Sequence, residues 1–309
     1  MITLIANPAS RSGRGKRLWA DWEGALLNQG VNYVLRTTTS IADCREQARR
    51  ACRDSSIVVA VGGDGTINAV ISGMMAGRAE RARAGSGRPF PPLGVLYAGT
   101  SPDFCRFHGI PTSPREAVRA LLAAKARAVD IASISFTGSG EKADAEYFAC
   151  GCNIGLGSAT AVFANSWRKY FGDGLGTGLG LIRAMVRHKP FACRLTTDGT
   201  IKDFAHANHV MILKNPHIAS GLRVDLDLAA DDGSLVAVVV HGHSRSGLLS
   251  LLPRLYSGKL EGREGIYLQR CSSARVETDW PQPVEFDGDA HGAGPVSIRI
   301  LPNALELLC

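Results

Sequence analysis

The sequence predicts an α/β protein whose N-terminal domain has a doubly wound, mostly parallel sheet and whose C-terminal domain is antiparallel and β-rich. Two patterns support this fold class. Strand and helix patterns alternate up to about residue 128, as in parallel sheets, and from Val129 strand patterns follow one another with few helices between them. The predicted domains are residues 1–128 and 129–296, with a C-terminal segment, 297–309, that returns to the first domain.

The elements of the first domain are short apolar or β-branched runs followed by segments with apolar residues three or four positions apart. The first helix, for example, carries Leu18, Trp22 and Leu26 on one face. A polar segment, 76–92, is rich in Gly, Arg and Pro and predicts a surface loop. In chain order we predict strand 2–6, helix 14–29, strand 31–36, helix 41–53, strand 56–61, helix 66–75, strand 93–98 and helix 113–126.

The second domain is predicted to be a series of strands separated by turns. One helix is expected at 178–189, after a glycine-rich segment, and another at 244–258, where Pro253 predicts a kink or an end. The predicted strands are 128–136, 145–154, 193–199, 209–215, 234–243, 274–279, 283–288 and 296–302.

The composition and the short apolar runs predict an ordinary globular protein and argue against a disordered or membrane-spanning one. The chain has 309 residues, 45% of them apolar and 20% charged, as in ordinary globular proteins. Its longest apolar runs fall far short of the roughly 18 residues of a membrane span, and no secretory signal pattern opens the chain, so we expect a cytoplasmic protein. The eight cysteines form no CxxC pair and predict reduced thiols.

The net charge of +7 favours anionic partners, which include nucleotides and acidic membrane surfaces. Nucleic acid is not expected, because the arginine clusters are not interleaved with aromatic residues. The sequence gives no indication of an oligomeric state.

The glycine-rich turn Gly62–Thr66 has no apolar side chain that could join a core, and it lies between a predicted buried strand and a predicted helix. Glycines let a ligand approach the backbone closely, and successive amides at a helix N-terminus bind phosphate. Asp64 within this turn would repel a phosphate unless Mg²⁺ neutralised the charge, and Mg²⁺ prefers carboxylate and phosphate oxygens. The alternative is an ordinary tight turn in which Asp64 caps the helix.

Three other predicted strands also end in polar or small residues. They are followed by "NPASRSGRGK", "TTTS" and "AGTSPDF", respectively. Ligands of open α/β sheets bind at the carboxyl ends of the strands, so this edge predicts a nucleotide phosphate site. No GxxxxGK[ST] pattern occurs, and the glycine string at 172–180 is only a weak signal for a dinucleotide.

Six segments in order resemble the diacylglycerol kinase catalytic-domain superfamily, which includes bacterial lipid kinases and sphingosine and ceramide kinases, with NAD kinases as distant relatives. The resemblance covers nearly the whole chain and implies the corresponding two-domain fold. The six segments are "NPASRSGRGK", "GGDGTINAVISG", "PLGVLYAGTSPDFCRFHGIP", "CNIGLGSATAV", "LAADDGSLVAVVV" and "VEFDGDAHGAGPVSIRILPNAL".

The resemblance implies a role for each matching residue. Asp64 would hold Mg²⁺ or help activate the acceptor, and Asp289 occupies the place of the family's glutamate proton acceptor. Asp231 and Asp232 fall at the family's structural Mg²⁺ turn, although Ala229 stands at its earlier ligand position. ATP would be bound by Asn7, Pro8, Ala9, Ser10, Arg11, Thr37, Gly62, Gly63, Asp64, Gly65, Thr66 and Thr100.

Three positions depart from the family pattern. Ala69 replaces a common glutamate, Ser72 an asparagine, and Pro102 the asparagine of an Asn-Asp-Phe element. Despite these departures, the six matching segments imply an ATP-dependent and Mg²⁺-dependent lipid kinase that meets its substrate at the inner membrane surface. A kinase of a soluble acceptor, as in NAD kinases, and a nucleotide- or lipid-binding homologue that has lost catalysis are the alternatives.

Overall fold

The structure is a computed structural model that describes residues 1–8, 15–85, 89–136, 146–219 and 222–309. The chain folds into two compact units. The N-terminal unit comprises Met1–Asp130 together with Pro302–Cys309, and the β-rich unit comprises Ile131–Leu301. Within the described ranges, no helix has both the length and the apolar character that crossing a membrane requires.

The N-terminal unit alternates strands with helices. The strands pair in the order β2, β1, β3 and β4, all parallel, with Ala6 opposite both Thr37 and Val61. This arrangement confirms the predicted parallel sheet. Its elements are β1 (Ile2–Ala6), α1 (Gly15–Asn28), β2 (Tyr33–Thr37), α2 (Ile41–Asp54), β3 (Ile57–Gly62), α3 (Asp64–Arg83), β4 (Leu93–Tyr97), α4 (Asp103–His108) and α5 (Pro114–Ala123).

Helices pack against this sheet through small and apolar residues. Trp22 and Leu26 of α1 are buried in one core cluster with Val118 and Leu121 of α5 and with side chains of the strands. This burial agrees with the apolar stripe that the sequence predicts for α1. In α3, a Cβ at Gly73 would overlap backbone atoms of α2, so only glycine permits the observed approach of the two helices.

Two helical features of this unit differ from the sequence prediction. The helix predicted at 66–75 continues to Arg83, into the predicted loop 76–92. Ala, Arg and Glu in this stretch favour helix, and Glu80 accepts hydrogen bonds from Arg49 of α2 at 2.6 and 2.7 Å. The six-residue helix α4 was not predicted, because so short a segment shows no helical periodicity.

The β-rich unit is built almost entirely of antiparallel pairs, as predicted. The long strand β9 pairs with β8 through its first half and with β7 and β12 through its second. Its elements are β5 (Ala126–Phe136), β6 (Glu146–Phe148), β7 (Gly151–Gly155), α6 (Leu156–Arg187), β8 (Phe191–Thr197), β9 (Thr200–Leu213), β10 (His217–Ala219), β11 (Leu222–Arg223), β12 (Leu235–His241), α7 (Arg245–Ser257), β13 (Ile266–Cys271), β14 (Ser273–Thr278), β15 (Pro283–Phe286), β16 (Asp289–Ala293) and β17 (Val296–Leu308).

Two strands belong to both units. The chain leaves the N-terminal unit within β5 and returns to it within β17. In the N-terminal unit, Leu307 of β17 pairs in parallel with Leu93 of β4, and the backbone N–H of Asn303 donates to Oδ1 of Asp130 at 2.9 Å. These contacts tie the C-terminal residues to the N-terminal unit.

Helix α6 differs from the prediction, whereas α7 (Arg245–Ser257) agrees with the helix predicted at 244–258. Helix α6 begins at Leu156, well before the predicted start at residue 178. A Cβ at Gly180 would lie 2.7 Å from the backbone nitrogen of Ala164, although a straight helix would separate these two residues by about 24 Å. The chain therefore turns back between them, and Gly180 permits the two parts of the segment to pack closely. Pro253 lies inside α7, which continues beyond it to Ser257.

Candidate functional site

The carboxyl ends of the four parallel strands meet at one edge of the N-terminal unit. Hydrogen bonds extend the strand register into the following segments. The N–H of Asn7 donates to the carbonyl of Val61 at 3.1 Å, and the N–H of Ala98 donates to the carbonyl of Gly62 at 2.8 Å. The segments that the sequence singled out after β1, β3 and β4 therefore lie side by side.

The glycine turn leads directly into α3. Gly63 is extended, with φ −88° and ψ −173°, and its carbonyl accepts from the N–H groups of Thr66 and Ile67 at 2.9 and 3.0 Å. Asp64 is thus the first helical residue, and no side-chain cap bond is formed at Gly63. The first turn of a helix presents N–H groups without intrahelical partners and a partial positive charge, which together favour phosphate.

Close packing explains why the turn consists of small residues. A Cβ at Gly62 would overlap the side chain of Thr66, and a Cβ at Gly63 would lie 3.1 Å from the Cα of Gly99. A Cβ at Gly99 would in turn lie 2.8 Å from the Cα of Gly63, so glycine at both positions lets the segments after β3 and β4 approach this closely.

Asp64 is held by a residue that the sequence analysis missed. The hydroxyl of Tyr97, the last residue of β4, donates to Oδ2 of Asp64 at 2.8 Å. Burial, together with the negative charge of Asp64, raises the pKa of Tyr97 far above its usual value, so the phenol stays protonated and acts as a donor. A polar aromatic residue ending an otherwise apolar strand was the only available signal.

Asn7 lies beside the same turn. Its Nδ2 donates to Oγ1 of Thr66, a buried residue, at 3.4 Å. Beside Asn7 lies a cavity of about 220 Å³ whose walls are mostly apolar and include two tryptophans of α1. The cavity is lined by Ala6, Asn7, Pro8, Trp19, Trp22, Leu35, Thr37, Val61 and Ala98.

The remaining nucleotide-site predictions have different outcomes. Thr100 is exposed and follows β4 at the same edge. Ala9, Ser10 and Arg11 lie outside the described residues. The glutamate position of the family is occupied here by Ala69, which is fully buried within α3.

Asp289 is placed by a tight hairpin in the β-rich unit. It begins β16 and pairs with Phe286 of β15, leaving Asp287 and Gly288 as a two-residue turn with φ of 48° and 94°. Two positive φ values are typical of a type I′ turn, for which Asp-Gly is a favoured sequence. The carboxylate of Asp287 accepts from the backbone N–H groups of Ala149, Cys150 and Gly151 at 2.8, 2.9 and 3.2 Å.

The buried carboxylate of Glu285 also binds this two-residue turn. Glu285 accepts from the N–H of Gly288 and from Nδ2 of Asn153, both at 2.6 Å. Burial raises the pKa of Glu285 to about 7; Asp287 and Asp289 contribute to the rise, and the two hydrogen bonds oppose it. Strand alternation predicts an exposed side chain between Val284 and Phe286, so this buried glutamate was not predicted.

Asn153 continues the buried network. Its Oδ1 lies 3.2 Å from Nε2 of His209. Burial and the neighbouring His188 lower the pKa of His209 to about 4, so its imidazole is neutral at neutral pH. A neutral imidazole can donate one N–H to the amide oxygen, which leaves the Asn153 amide group free to donate to Glu285.

The two predicted metal positions differ in their fit to Mg²⁺. Asp64 fits, because its carboxylate lies at the N-terminus of α3, and Mg²⁺ is usually held by one or two carboxylates together with substrate phosphates. Asp232 does not fit, because Oδ1 accepts from Nζ of Lys214 at 2.8 Å and Oδ2 from Nη2 of Arg270 at 2.7 Å. Asp231 is exposed, and within the described ranges no three His, Cys, Asp or Glu side chains form a metal-binding group.

Comparisons with known proteins cover both units. Residues 1–134 match the family model described as the diacylglycerol kinase catalytic domain, and residues 152–309 match the YegS C-terminal NAD kinase beta sandwich-like domain. A diacylglycerol kinase of Mycobacterium tuberculosis is 25% identical over 309 residues, which is 99% of this chain and 94% of the relative.

Two solved structures have a similar fold. A diacylglycerol kinase structure from Bacillus anthracis aligns with a TM-score of 0.69 at 18% identity, over 99% of this chain and 96% of the other. A yeast NADH kinase in complex with NADH aligns with a TM-score of 0.51 at 11% identity, over 100% and 82%. These alignments confirm the predicted fold class.

Proposed function

Because the chain belongs to the diacylglycerol kinase catalytic-domain superfamily, we propose that it transfers the γ-phosphate of ATP to a lipid hydroxyl. The observation that carries the proposal is the glycine turn at the N-terminus of α3, with Asp64 fixed by Tyr97. It combines phosphate-binding N–H groups with one oriented carboxylate, as phosphoryl transfer requires.

In this proposal, the N-terminal unit binds the nucleotide. The glycine turn Gly62–Thr66 at the N-terminus of α3 holds the phosphates, and Asn7 and Thr66 add polar side chains to the same edge. Thr37 and Thr100 contribute from the ends of the neighbouring strands. Pro8, Ala9, Ser10 and Arg11 follow β1 and complete the proposed set.

Asp64 holds Mg²⁺ when the nucleotide is bound. The ion supplies charge neutralisation on the phosphate oxygens. Tyr97 donates to one carboxylate oxygen of Asp64 and thereby restricts the orientation of the side chain. Orientation before the reaction matters because a misplaced group loses much of its effect on the transition state.

Asp289 acts as the proton acceptor. The acceptor hydroxyl gives its proton to the Asp289 carboxylate as its oxygen bonds to the γ-phosphorus, while the bond from that phosphorus to the ADP oxygen breaks. Asp287 and Glu285 anchor the hairpin that carries Asp289. This anchoring limits the freedom of an acceptor one methylene group shorter than the glutamate usual in the family.

A lipid is the proposed acceptor class: diacylglycerol, ceramide or a sphingoid-like molecule. The Mycobacterium tuberculosis relative is named a diacylglycerol kinase, which supports this class. The net charge of +7 supports peripheral binding at an anionic membrane surface, where each basic residue adds about 1 kcal/mol.

The test uses purified protein, γ-labelled ATP, Mg²⁺ and vesicles of a bacterial lipid extract. Label extracted into the organic phase is the expected result, and it should depend on both Mg²⁺ and lipid. Label on a water-soluble acceptor would replace the lipid proposal with a kinase of a soluble hydroxyl. ATP binding without transfer to either phase would indicate a binding homologue and contradict the kinase proposal.

A further inference from the structure

A six-residue turn between β11 and β12 is closed by the carboxylate of Asp232. Its Oδ2 accepts from the N–H of Ala229 and its Oδ1 from the N–H of Ser234, both at 2.9 Å. These bonds fold the turn around the carboxylate and direct backbone carbonyls to the same side. The turn therefore presents a concentrated negative potential to whatever lies against it.

The ammonium group of Lys214 lies against this turn. Its Nζ is 2.8 Å from the carbonyl oxygen of Ala229, 2.8 Å from Oδ1 of Asp232 and 3.3 Å from the carbonyl oxygen of Ser234. The Lys214 side chain is only 1% exposed. A buried ammonium is tolerated only where oxygens replace its hydration shell, and here three oxygens of one turn do so.

The same three oxygens are of the kind that a divalent cation would take. One carboxylate oxygen and two carbonyl oxygens are typical ligands of Mg²⁺ or Ca²⁺. The second oxygen of Asp232 is already bound by Arg270, whose Nε also donates to Oγ of Ser234 at 2.9 Å. A metal at this turn would have to displace Lys214 or lie beside its buried positive charge.

We propose that Lys214 takes the place of the structural divalent cation that the family resemblance implies at this turn. The β-rich unit of this chain then needs no metal to hold the turn in its folded conformation. The proposal does not depend on the kinase reaction, because it concerns the stability of one unit.

The position of Lys214 gives the replacement a wider structural role. Lys214 follows β9 directly, and its backbone N–H donates to the carbonyl of Cys150 at 2.9 Å. The N–H of Cys150 donates in turn to Oδ1 of Asp287, in the hairpin turn next to Asp289. Loss of the Lys214 contacts would thus loosen a segment that also anchors this hairpin.

The first experiment measures thermal unfolding of the full chain carrying Asp64→Asn, which removes the other proposed metal ligand. Midpoints are compared after dialysis against EDTA and in millimolar Mg²⁺ or Ca²⁺. We expect them to agree within about 1 °C, since a ligand stabilises only a protein that binds it. A rise of several degrees that a further Asp232→Asn substitution abolishes would overturn the proposal.

The second experiment replaces Lys214 by Met, which keeps an unbranched apolar side chain but lacks the terminal Nζ and its charge. In EDTA the midpoint should fall by roughly 5 to 15 °C, because the half-buried Asp232 carboxylate and two carbonyl oxygens lose the buried ammonium group, and only Arg270 remains bound to Asp232. Mg²⁺ or Ca²⁺ should then raise the midpoint, since the three oxygens face an open position. A Lys214→Met variant that is as stable as the parent, or that folds but does not respond to either ion, would contradict the replacement.

Arg270→Met is the matched control, because Arg270 also binds Asp232 but is 48% exposed. It should lower the midpoint less than Lys214→Met and leave the protein insensitive to metal. A metal response in this control equal to that of Lys214→Met would also overturn the proposal. If Lys214→Met fails to fold, the comparison of EDTA and metal in the first experiment still decides the question.

Discussion

In the N-terminal unit, the polar residues of the candidate site follow directly after strands and are brought together by the register of a parallel sheet. In the β-rich unit, the corresponding residues come from distant parts of the chain. Glu285 contacts Asn153, which contacts His209, and all three are partly or fully buried. One unit places its polar groups at the edge of a sheet, and the other holds them between paired strands in its interior.

The difference has an electrostatic consequence. At the edge, Asp64 lies in the first turn of α3, where the partial positive charge of a helix N-terminus favours the anionic ligand of the proposed site. In the interior, burial shifts pKa values in opposite directions, upward for Glu285 and downward for His209. We therefore expect substitutions in the N-terminal unit to act on nucleotide binding, and those around the hairpin to act on proton transfer and on the pH dependence of stability.

The largest expected effect belongs to Asp64→Asn. The amide oxygen can still accept from the Tyr97 hydroxyl, so the fold should be retained, while the negative charge that would hold Mg²⁺ is lost. Transfer measured with labelled ATP should fall about a thousandfold, and ATP binding should lose its Mg²⁺ dependence. Asp54→Asn, which removes an exposed carboxylate of α2, is the control and should keep full activity. Wild-type rates in Asp64→Asn would exclude this carboxylate from the reaction.

Asp289→Asn should lower transfer by about a hundred- to a thousandfold, because an amide cannot accept the proton of the hydroxyl. Unlike Asp64→Asn, it should leave the affinity for ATP and Mg²⁺ unchanged, which calorimetric titration can measure. Glu261→Gln removes an exposed carboxylate of the same unit and serves as the control. A weakened ATP affinity in Asp289→Asn with unchanged turnover would remove the distinction between the two units.

The fold class follows from patterns that are local in the sequence. Apolar strand runs alternate with helical stripes such as that of Trp22 and Leu26, and each pattern can be recognised without its neighbours. The start of α6 at Leu156 was not predicted, because the sequence prediction began the helix only after the glycine-rich segment, at residue 178. Gly180 packs closely against Ala164 of the same segment, a contact that no local pattern indicates. A glycine required for close packing and a glycine required for a turn have the same sequence signal.

The candidate site was likewise predictable only where its residues are close together in the sequence. The turn Gly62–Thr66 is contiguous, and the parallel pairing of β1 with β3 places it beside Asn7. Tyr97, Glu285 and Lys214 were not predicted, because each matters through a partner that is far away in the sequence. No local pattern distinguishes a lysine that pairs with a turn from one that is solvated.

The third prediction concerns the pH dependence of stability and tests the buried polar network of the β-rich unit. The pKa of Glu285 is raised from 4.5 to about 7 in the folded protein. Between these values the folded protein keeps a proton that the unfolded chain releases, so the free energy of unfolding falls as the pH rises through this interval. The interval corresponds to roughly 3 kcal/mol.

Urea unfolding of the parent and of Glu285→Gln from pH 4.5 to 8 isolates this contribution. His209, whose lowered pKa acts in the opposite direction, is present in both proteins and cancels in their difference. The stability advantage of the parent over Glu285→Gln should be greatest near pH 4.5 and smallest above pH 7. Parallel stability curves over the whole range would show that Glu285 ionises as it does in the unfolded chain.

The smallest expected effect is that of Tyr97→Phe, which tests how far orientation of Asp64 matters once its charge is retained. The substitution removes one hydrogen bond to Oδ2 and keeps the buried ring, so stability should change by only about 1 kcal/mol. Turnover should fall about tenfold, because the carboxylate can then adopt unproductive rotamers. Tyr33→Phe removes a comparable hydroxyl that donates to Glu23 at 3.2 Å, and it should leave turnover unchanged. Equal turnover in Tyr97→Phe and Tyr33→Phe would mean that the glycine turn alone orients Asp64. The hydrogen bond from the buried Tyr97 would then not be needed for the reaction.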